Sequence, residues 1–498
     1  MTKPVSSALL ATLATLAALS GSPAAAQKFS SPADYIPDGY TLETVAMPPD
    51  LEFDVTGLDV NADGDVLVAT RFGEVWILDA EHTAGTVDAA KWRRFAEGLD
   101  ESTGALWDDD GSVLVAQKPQ LTRLVDSDGD GRADQFISLA SEWQYHDNYH
   151  EFNFGPVKDA DGNYYGTLNL GHNIPGGFTL GNSTMRSGGG YRGWAYKVTP
   201  EGDFVPYAYG LRSPAGLGMS PQGEFYYTDN QGDWVETSTI SLIEEGKFYG
   251  HPASMRDLPG KTLEELQELT VEQLEAMRTR PVIWVPYIEV GNSPGNLEWE
   301  TTGKFGPFQG QAFIGDQTQS NVFRAIFDEV NGVKQGAVIN FADGFQSGNI
   351  RTKFDPSGRL WVGQTQRGWA SKGGKPFGLE RLVWDGATIP FEMQTIAMVE
   401  GGYRLTFTKP VDPQSVTRDG ISAQSWGYKY GPQYGSEKMD TADLAIGAVT
   451  LSEDGNSVTV KLASKERTVV MIDFAGLSGV DGARPSTTKV YYTVNAVK

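Results

Sequence analysis

A glycine turn set between strand-forming runs recurs six times in this chain, and few folds accept a sequence written that way. Apolar residues lead into each turn and an aromatic or β-branched strand leaves it. The turns centre on Gly64 (VTGLDVNADGDVLVAT), Gly111 (TGALWDDDGSVLVAQ), Gly162 (HEFNFGPVKDADGNYYGTLN), Gly223, Gly310 (GPFQGQAFIGDQTQSNVFRAIF) and Gly358 (NIRTKFDPSGRLWVGQTQRGW). The intervals between them are 47, 51, 61, 87 and 48 residues, and the shorter ones match a four-stranded blade of about 40–50 residues. Six copies predict an all-β fold, a six-bladed β-propeller. A strand over Tyr40 to Ala46 is expected to close the last blade, because a ring must tie its first and last sheets to lose its free edges.

The unit from Tyr209 to Pro252 shows how such a blade would carry a site. Gly216 and Gly218 allow close backbone approach, Pro221-Gln222-Gly223 is a turn, and Glu224 to Thr228 is a β-rich run. Arg212 and the polar loop Asp229-Asn230-Gln231-Gly232-Asp233 then fall at strand ends, where propellers build their sites.

The remaining chain divides around the ring. Residues 1–26, with Lys3, an apolar run and Ala24-Ala25-Ala26, read as a secretory signal peptide. The propeller is expected over 27–387, and the 87-residue interval holds a helical insertion at about 253–300. There Thr262-Leu263-Glu264-Glu265 is a capping box, followed by leucines at near-helical spacing. Composition shifts at Thr388-Ile389-Pro390. The alternating strands of YRLTFTKPVDP, AIGAVTLSEDGNSVTVKLA, TVVMIDFAGL and KVYYTVNAV then predict an Ig-like β-sandwich over 388–498, read as an accessory domain.

Export to the periplasm or the medium would permit disulfides, yet the chain has no cysteine, so stability must come from core burial, with bound metal as an optional addition. The same lack excludes covalently attached haem. No transmembrane run follows the N-terminus, and a net charge of −24 repels nucleic acid and anionic membranes.

Three stretches carry chemistry. Asp126, Asp128, Asp130 and Asp134 fall at positions 1, 3, 5 and 9 of a glycine-containing loop, a spacing suited to Ca²⁺ as a structural staple, although the Glu of a full EF-hand is missing. His146 and His150, four apart beside Asp147, join His172 and His251 in or near blade-end loops, placed for proton transfer or metal ligation. Gly171 to Tyr191 reads as a loop over the site, and the aromatic run WVPYIEVGNSPGNLEW, Trp284 to Trp299, offers stacking surface at its mouth.

Gly210-Leu211-Arg212-Ser213-Pro214, Asn230-Gln231-Gly232 and Tyr249-Gly250-His251-Pro252 together resemble landmarks of the glucose/sorbosone dehydrogenases, soluble quinoprotein propellers. The segments around Gly310 and Gly358, with the sandwich behind them, look closer still to exported sorbosone-dehydrogenase-like proteins. The resemblance implies hydride transfer from a small sugar or aldehyde to pyrroloquinoline quinone, with a separate electron acceptor. It implies His150 as base and Arg212 as the cation that polarises the quinone carbonyl; His146, from the histidine cluster itself, is the further catalytic candidate. The resemblance further implies Gln231 and Gly232 beside a quinone-associated Ca²⁺. The pattern departs at Asp233, where the family has proline, at Ser213 for asparagine, and at Thr318-Gln319-Ser320, where a lysine is expected; Arg351 and Arg367 are the substitute cations. Two other readings stand beside this one. A divalent metal held by His146, His150, His172 and Asp229 or Asp233 would make a sugar lactonase, lyase or hydrolase. Aromatic loops alone would suit a non-catalytic carbohydrate-binding protein.

Overall fold

The computed structural model describes residues 35–366 and 368–498, so the expected signal peptide and Arg367 lie outside the described residues. The repeat glycines take the backbone conformation that their recurrence implies. All six have φ between 79° and 96°, a region open to glycine at little cost. At Gly64, Gly111, Gly162, Gly223 and Gly358 the glycine N–H donates to the carbonyl three residues back, closing the turn.

Most of the strands form antiparallel four-stranded sheets. The first strands of successive sheets are Val55–Val60, Ala105–Trp107, Asn153–Lys158, Gly216–Met219, Pro294–Trp299 and Asn349–Phe354. Each touches the next in that order, and the last touches the first, so the sheets close into a β-propeller ring. Second strands such as Val66–Thr70 and Val113–Ala116 are buried along their whole length. A sheet covered on both faces needs such apolar runs. Tyr40–Thr44 pairs with Phe377–Trp384, Leu42 opposite Leu382, as the sequence predicts for a closing strand.

Threonine hydroxyls stitch neighbouring sheets. Thr56 donates to Ser102 O at 2.6 Å, Thr103 to Asn153 O at 2.5 Å, Thr167 to Pro214 O at 2.9 Å and Thr228 to Pro294 O at 2.9 Å. At the axis, the Arg351 guanidinium donates to Thr56 O, Thr103 O, Ala215 O and Ile350 O at 2.6–3.0 Å. One side chain thus ties four sheets.

The insertion is shorter than its spacing suggests. A 3-10 turn (Pro252–Asp257) and two helices, Leu263–Gln267 and Val271–Met277, fill it. Thr270 and Gln273 form a second capping box that breaks the leucine run in two. From Ile283–Val285 the chain is back in the ring, and Pro294–Trp299 opens the next sheet; Trp284 and Trp299 are core residues there.

The shift at residue 388 does not separate the strands cleanly. Lys489–Val494 pairs with Val333–Ala342, so Thr468–Asp473, Ser422–Gly427 and Met439–Asp443 extend a ring sheet to eight strands. A second sheet, with strands Met393–Val399, Gly402–Phe407, Ser457–Lys461 and Val449–Leu451, covers its apolar face. The shared core joins Ile326, Ala337 and Ile339 from the ring to Met393, Leu405, Val458, Val470 and Tyr492. The long hairpin Asn321–Val330/Val333–Ala342 leaves an outer edge, and the C-terminal strands occupy it.

Candidate functional site

A cavity of about 420 Å³ lies at one end of the ring axis, and His150 and Arg212 both line it. That volume is in the range of small-molecule sites. Its aromatic lining includes Tyr149, Phe152, Tyr287, Trp369 and Tyr434.

His150 is delivered by the loop that precedes the strand Asn153–Lys158. The Asn148 side chain fixes that loop: its oxygen accepts from the backbone N–H of His150 (3.1 Å) and His172 (3.0 Å), and its amide donates to His172 O (2.8 Å). The His150 ring donates from Nδ1 to Leu170 O at 3.0 Å. That bond selects the tautomer whose Nε2 carries a lone pair. Burial, and then the Arg212 charge, pull the imidazole pKa down to about 4, so at neutral pH it is an uncharged acceptor. His172 is lowered in the same direction by the same two causes.

Arg212 stands where the resemblance implies, in a different electrostatic setting. Its Nε donates to Asp233 Oδ1 at 2.7 Å, and Tyr434 lies over the guanidinium at 5.4 Å. Burial alone would lower its pKa; Asp233 outweighs that and holds the charge. The Nη atoms make no hydrogen bond among the described residues and are not enclosed, so they present donors to the cavity. Gly232 is glycine for a steric reason, since a Cβ there would sit 2.0 Å from Arg212 Cζ.

Asp229 and Asp233, expected as metal ligands, are already engaged. Asp229 accepts from the backbone N–H of Arg212 (2.8 Å) and Ser213 (2.7 Å). Asp316 does the same for Asn292 and Ser293 in the next sheet, which makes this carboxylate a repeated structural staple. Asp233 takes Arg212, the Ser183 hydroxyl and Met185 N–H, with His251 Nε2 at 4.0 Å. Burial would raise its pKa; His251 and Arg212 drive it far below the usual carboxylate range.

His146 does not line the cavity. Its Nδ1 meets Glu151 at 2.9 Å, and Arg192 lies 3.9 Å from the same carboxylate. Among the described residues, the acidic or histidine groups close enough to share an ion are Asp126, Asp128 and Asp130, within 4.8 Å of one another. No such group combines His146, His150, His172 and the two aspartates. Asp134 is turned to Ser127 instead. Gln231 lines the cavity, and its amide donates to Glu236 O at 3.2 Å. Arg351 is spent on the axial carbonyls.

Sequence reasoning missed several cavity groups, among them Arg71, Trp369 and Tyr434. Arg71 pairs with Glu101 at 3.2 Å and lies over Phe152 at 4.9 Å. Trp369 donates to Thr318 Oγ1 at 2.9 Å. Tyr434 comes from the C-terminal region read as accessory. Of the aromatic run after the insertion, Tyr287 reaches the cavity.

These residues do not fit pyrroloquinoline quinone in the manner implied. The group carries three carboxylates, whereas Arg212 and Arg71, the arginines lining the cavity among the described residues, each have a carboxylate partner. The Gly232 carbonyl, implied as a Ca²⁺ ligand, accepts from Gly435 N–H at 2.8 Å.

Comparison with known proteins adds the following. The family described as a domain of unknown function, DUF7133, matches residues 34–285, slightly more than half of the chain. No curated protein matches it. Among solved structures it is similar to an oxidoreductase described as a glucose dehydrogenase from Thermus thermophilus, at 19% identity and TM-score 0.48, covering 69% of this chain and 100% of that one. It is similar to the quinone-bound aldose sugar dehydrogenase of Streptomyces coelicolor at 15% and 0.48, covering 70% and 99%. The quinone domain of a Coprinopsis cinerea pyranose dehydrogenase matches at 12% and 0.48, covering 72% and 98%.

Proposed function

Because the chain belongs to the DUF7133 family, described only as a domain of unknown function, we propose its activity from the cavity itself: proton abstraction from a small sugar or sugar-derived hydroxyl, as the acid–base half of a dehydrogenase reaction. The observation that carries this is the pairing of an uncharged imidazole acceptor with unengaged guanidinium donors on one cavity. His150 Nε2 takes the hydroxyl proton, and Arg212 Nη donors hold the oxygen as negative charge grows on it. Asp233 keeps Arg212 charged and fixes its fork, and Asn148 holds the base in place. The oxidation balances only if the hydride on the carbon that bears the hydroxyl passes to a separate two-electron acceptor, a quinone or redox dye supplied to the cavity.

In this reading the chain is exported to the periplasm or medium after loss of residues 1–26. Residues 27–387 are a six-bladed propeller, and 388–498 an Ig-like sandwich grown onto its fifth sheet, the one that holds Val333–Ala342. Among the described residues no helix is long and apolar enough to cross a membrane. The Asp126, Asp128 and Asp130 carboxylates take a structural Ca²⁺ away from the cavity.

The test is aldose-dependent dye reduction by the full chain, with and without added pyrroloquinoline quinone and Ca²⁺. Reduction is expected in one of the two conditions, falling about 10²- to 10⁴-fold in His150→Ala. Equal rates in wild type and His150→Ala, or no reduction in either condition, overturn the dehydrogenase reading. Sugar binding without turnover would then favour the carbohydrate-binding role, to which the cavity's aromatic lining is suited.

A further inference from the structure

The segment Tyr430 to Ser436 crosses from the C-terminal sheets to the cavity and is pinned there by its backbone. Gly435 N–H donates to Gly232 O (2.8 Å), Trp234 N–H to Gly431 O (3.0 Å) and Ser436 N–H to Glu236 O (2.7 Å), while Asp233 and Tyr434 form an antiparallel bridge. On one flank the Tyr430 hydroxyl bonds Gly250 O, and its ring lies against Trp234 (5.2 Å) and under Arg278 (4.2 Å). On the other, Pro432 fills the space beside Gly181.

Against this anchored backbone the Tyr434 ring is conspicuously unused. It is 58% exposed although it lines a cavity, and its hydroxyl has no hydrogen bond among the described residues. Its ring contacts the Arg212 guanidinium and leaves the rest of its surface open. A ring held at a fixed position with an unfilled face is a platform on which a ligand ring can lie, while its phenol is free to bond a ligand oxygen. Packing does not account for it, because a tyrosine placed for packing would be covered.

We propose that Tyr434 is a ligand-contacting specificity residue, so that the C-terminal sheets complete the site. This rests on the reading of the cavity as a sugar-sized ligand site. A ligand anchored by Arg212 Nη donors would place its ring against Tyr434, which selects ring shape and leaves proton transfer to His150.

The experiment uses the full-length chain as wild type, Tyr434→Ala, Tyr434→Phe and His150→Ala. Binding of D-glucose, D-galactose, D-xylose and L-arabinose is measured by calorimetry, and turnover with the tightest-bound of the four gives KM and kcat. Tyr434→Ala is expected to weaken binding and raise KM about ten-fold with kcat within about three-fold, while Tyr434→Phe restores most of the affinity. Thermal midpoints should agree within about 2 °C, since the ring is exposed. Unchanged affinity in Tyr434→Ala, or a loss that Tyr434→Phe does not rescue and that tracks a fall in midpoint, overturns the proposal. Full turnover in His150→Ala sinks the dehydrogenase reading instead and leaves the binding result standing. Failure of the wild type to bind any of the four sugars overturns both.

Discussion

Two buried arginines on the same ring show how one residue type serves opposite ends. Arg351, at the axis, spends its donors on four backbone carbonyls and has no carboxylate partner among the described residues; burial lowers its pKa to about 9. Arg212, at the cavity, spends Nε on Asp233, keeps its charge firmly, and leaves its Nη atoms toward the ligand space. A guanidinium used up by carbonyls is a fastener. One that is charge-balanced from behind with its fork open is a binding group.

The contrast is broken most easily at the axis. Arg351→Met should cost about 3 kcal/mol or more in denaturant unfolding, because several charge-assisted bonds to buried carbonyls vanish together. The folded fraction should keep its turnover. Loss of turnover without loss of stability would exchange the two roles. Arg212→Lys is the complementary change: it keeps a charge for Asp233 but loses the fork, so kcat/KM should drop about 10²-fold, with a stability change of about 1 kcal/mol.

Acid sharpens the comparison at the base. With the folded His150 pKa near 4, the imidazole stays neutral down to that value, so the acid limb of kcat/KM should fall near pH 4 and not near 6.5. The unfolded chain binds this proton at higher pH than the folded one does. His150's contribution to stability is therefore fully present above about pH 6.5 and is lost as pH falls toward 4. Unfolding titrations of wild type and His150→Gln, compared across that window, check the sign. The smallest effect is expected far from both arginines. Chelating Ca²⁺ should lower the thermal midpoint by a few degrees, and Asp128→Asn should remove that response.

Local rules carried most of the ring into view from sequence. The six turn glycines and the capping box at Thr262 are set by neighbours in the chain, the closing strand at Tyr40 follows from a ring's need to lose its free edges, and the structure has all of them. His150 and Arg212 were legible because strand ends point to one rim. Asp229 and Asp233 misled because a carboxylate in a loop looks the same whether it meets a metal or a backbone N–H, and only the fold supplies Arg212 N–H and Ser213 N–H to Asp229. Tyr434 was invisible for a related reason: nothing near it in sequence says that the C-terminal sheets continue a ring sheet through Lys489–Val494 and so bring residues 430–436 over the cavity.

The pairing of Tyr40–Thr44 with Phe377–Trp384 has a consequence for biogenesis. Until residue 384 has been synthesised, the ring stays an open arc with two bare rims, each able to recruit a strand from another molecule. A chain interrupted by a nonsense codon before residue 384, or clipped before that strand docks, should therefore be found in aggregates and with chaperones rather than as a smaller folded protein.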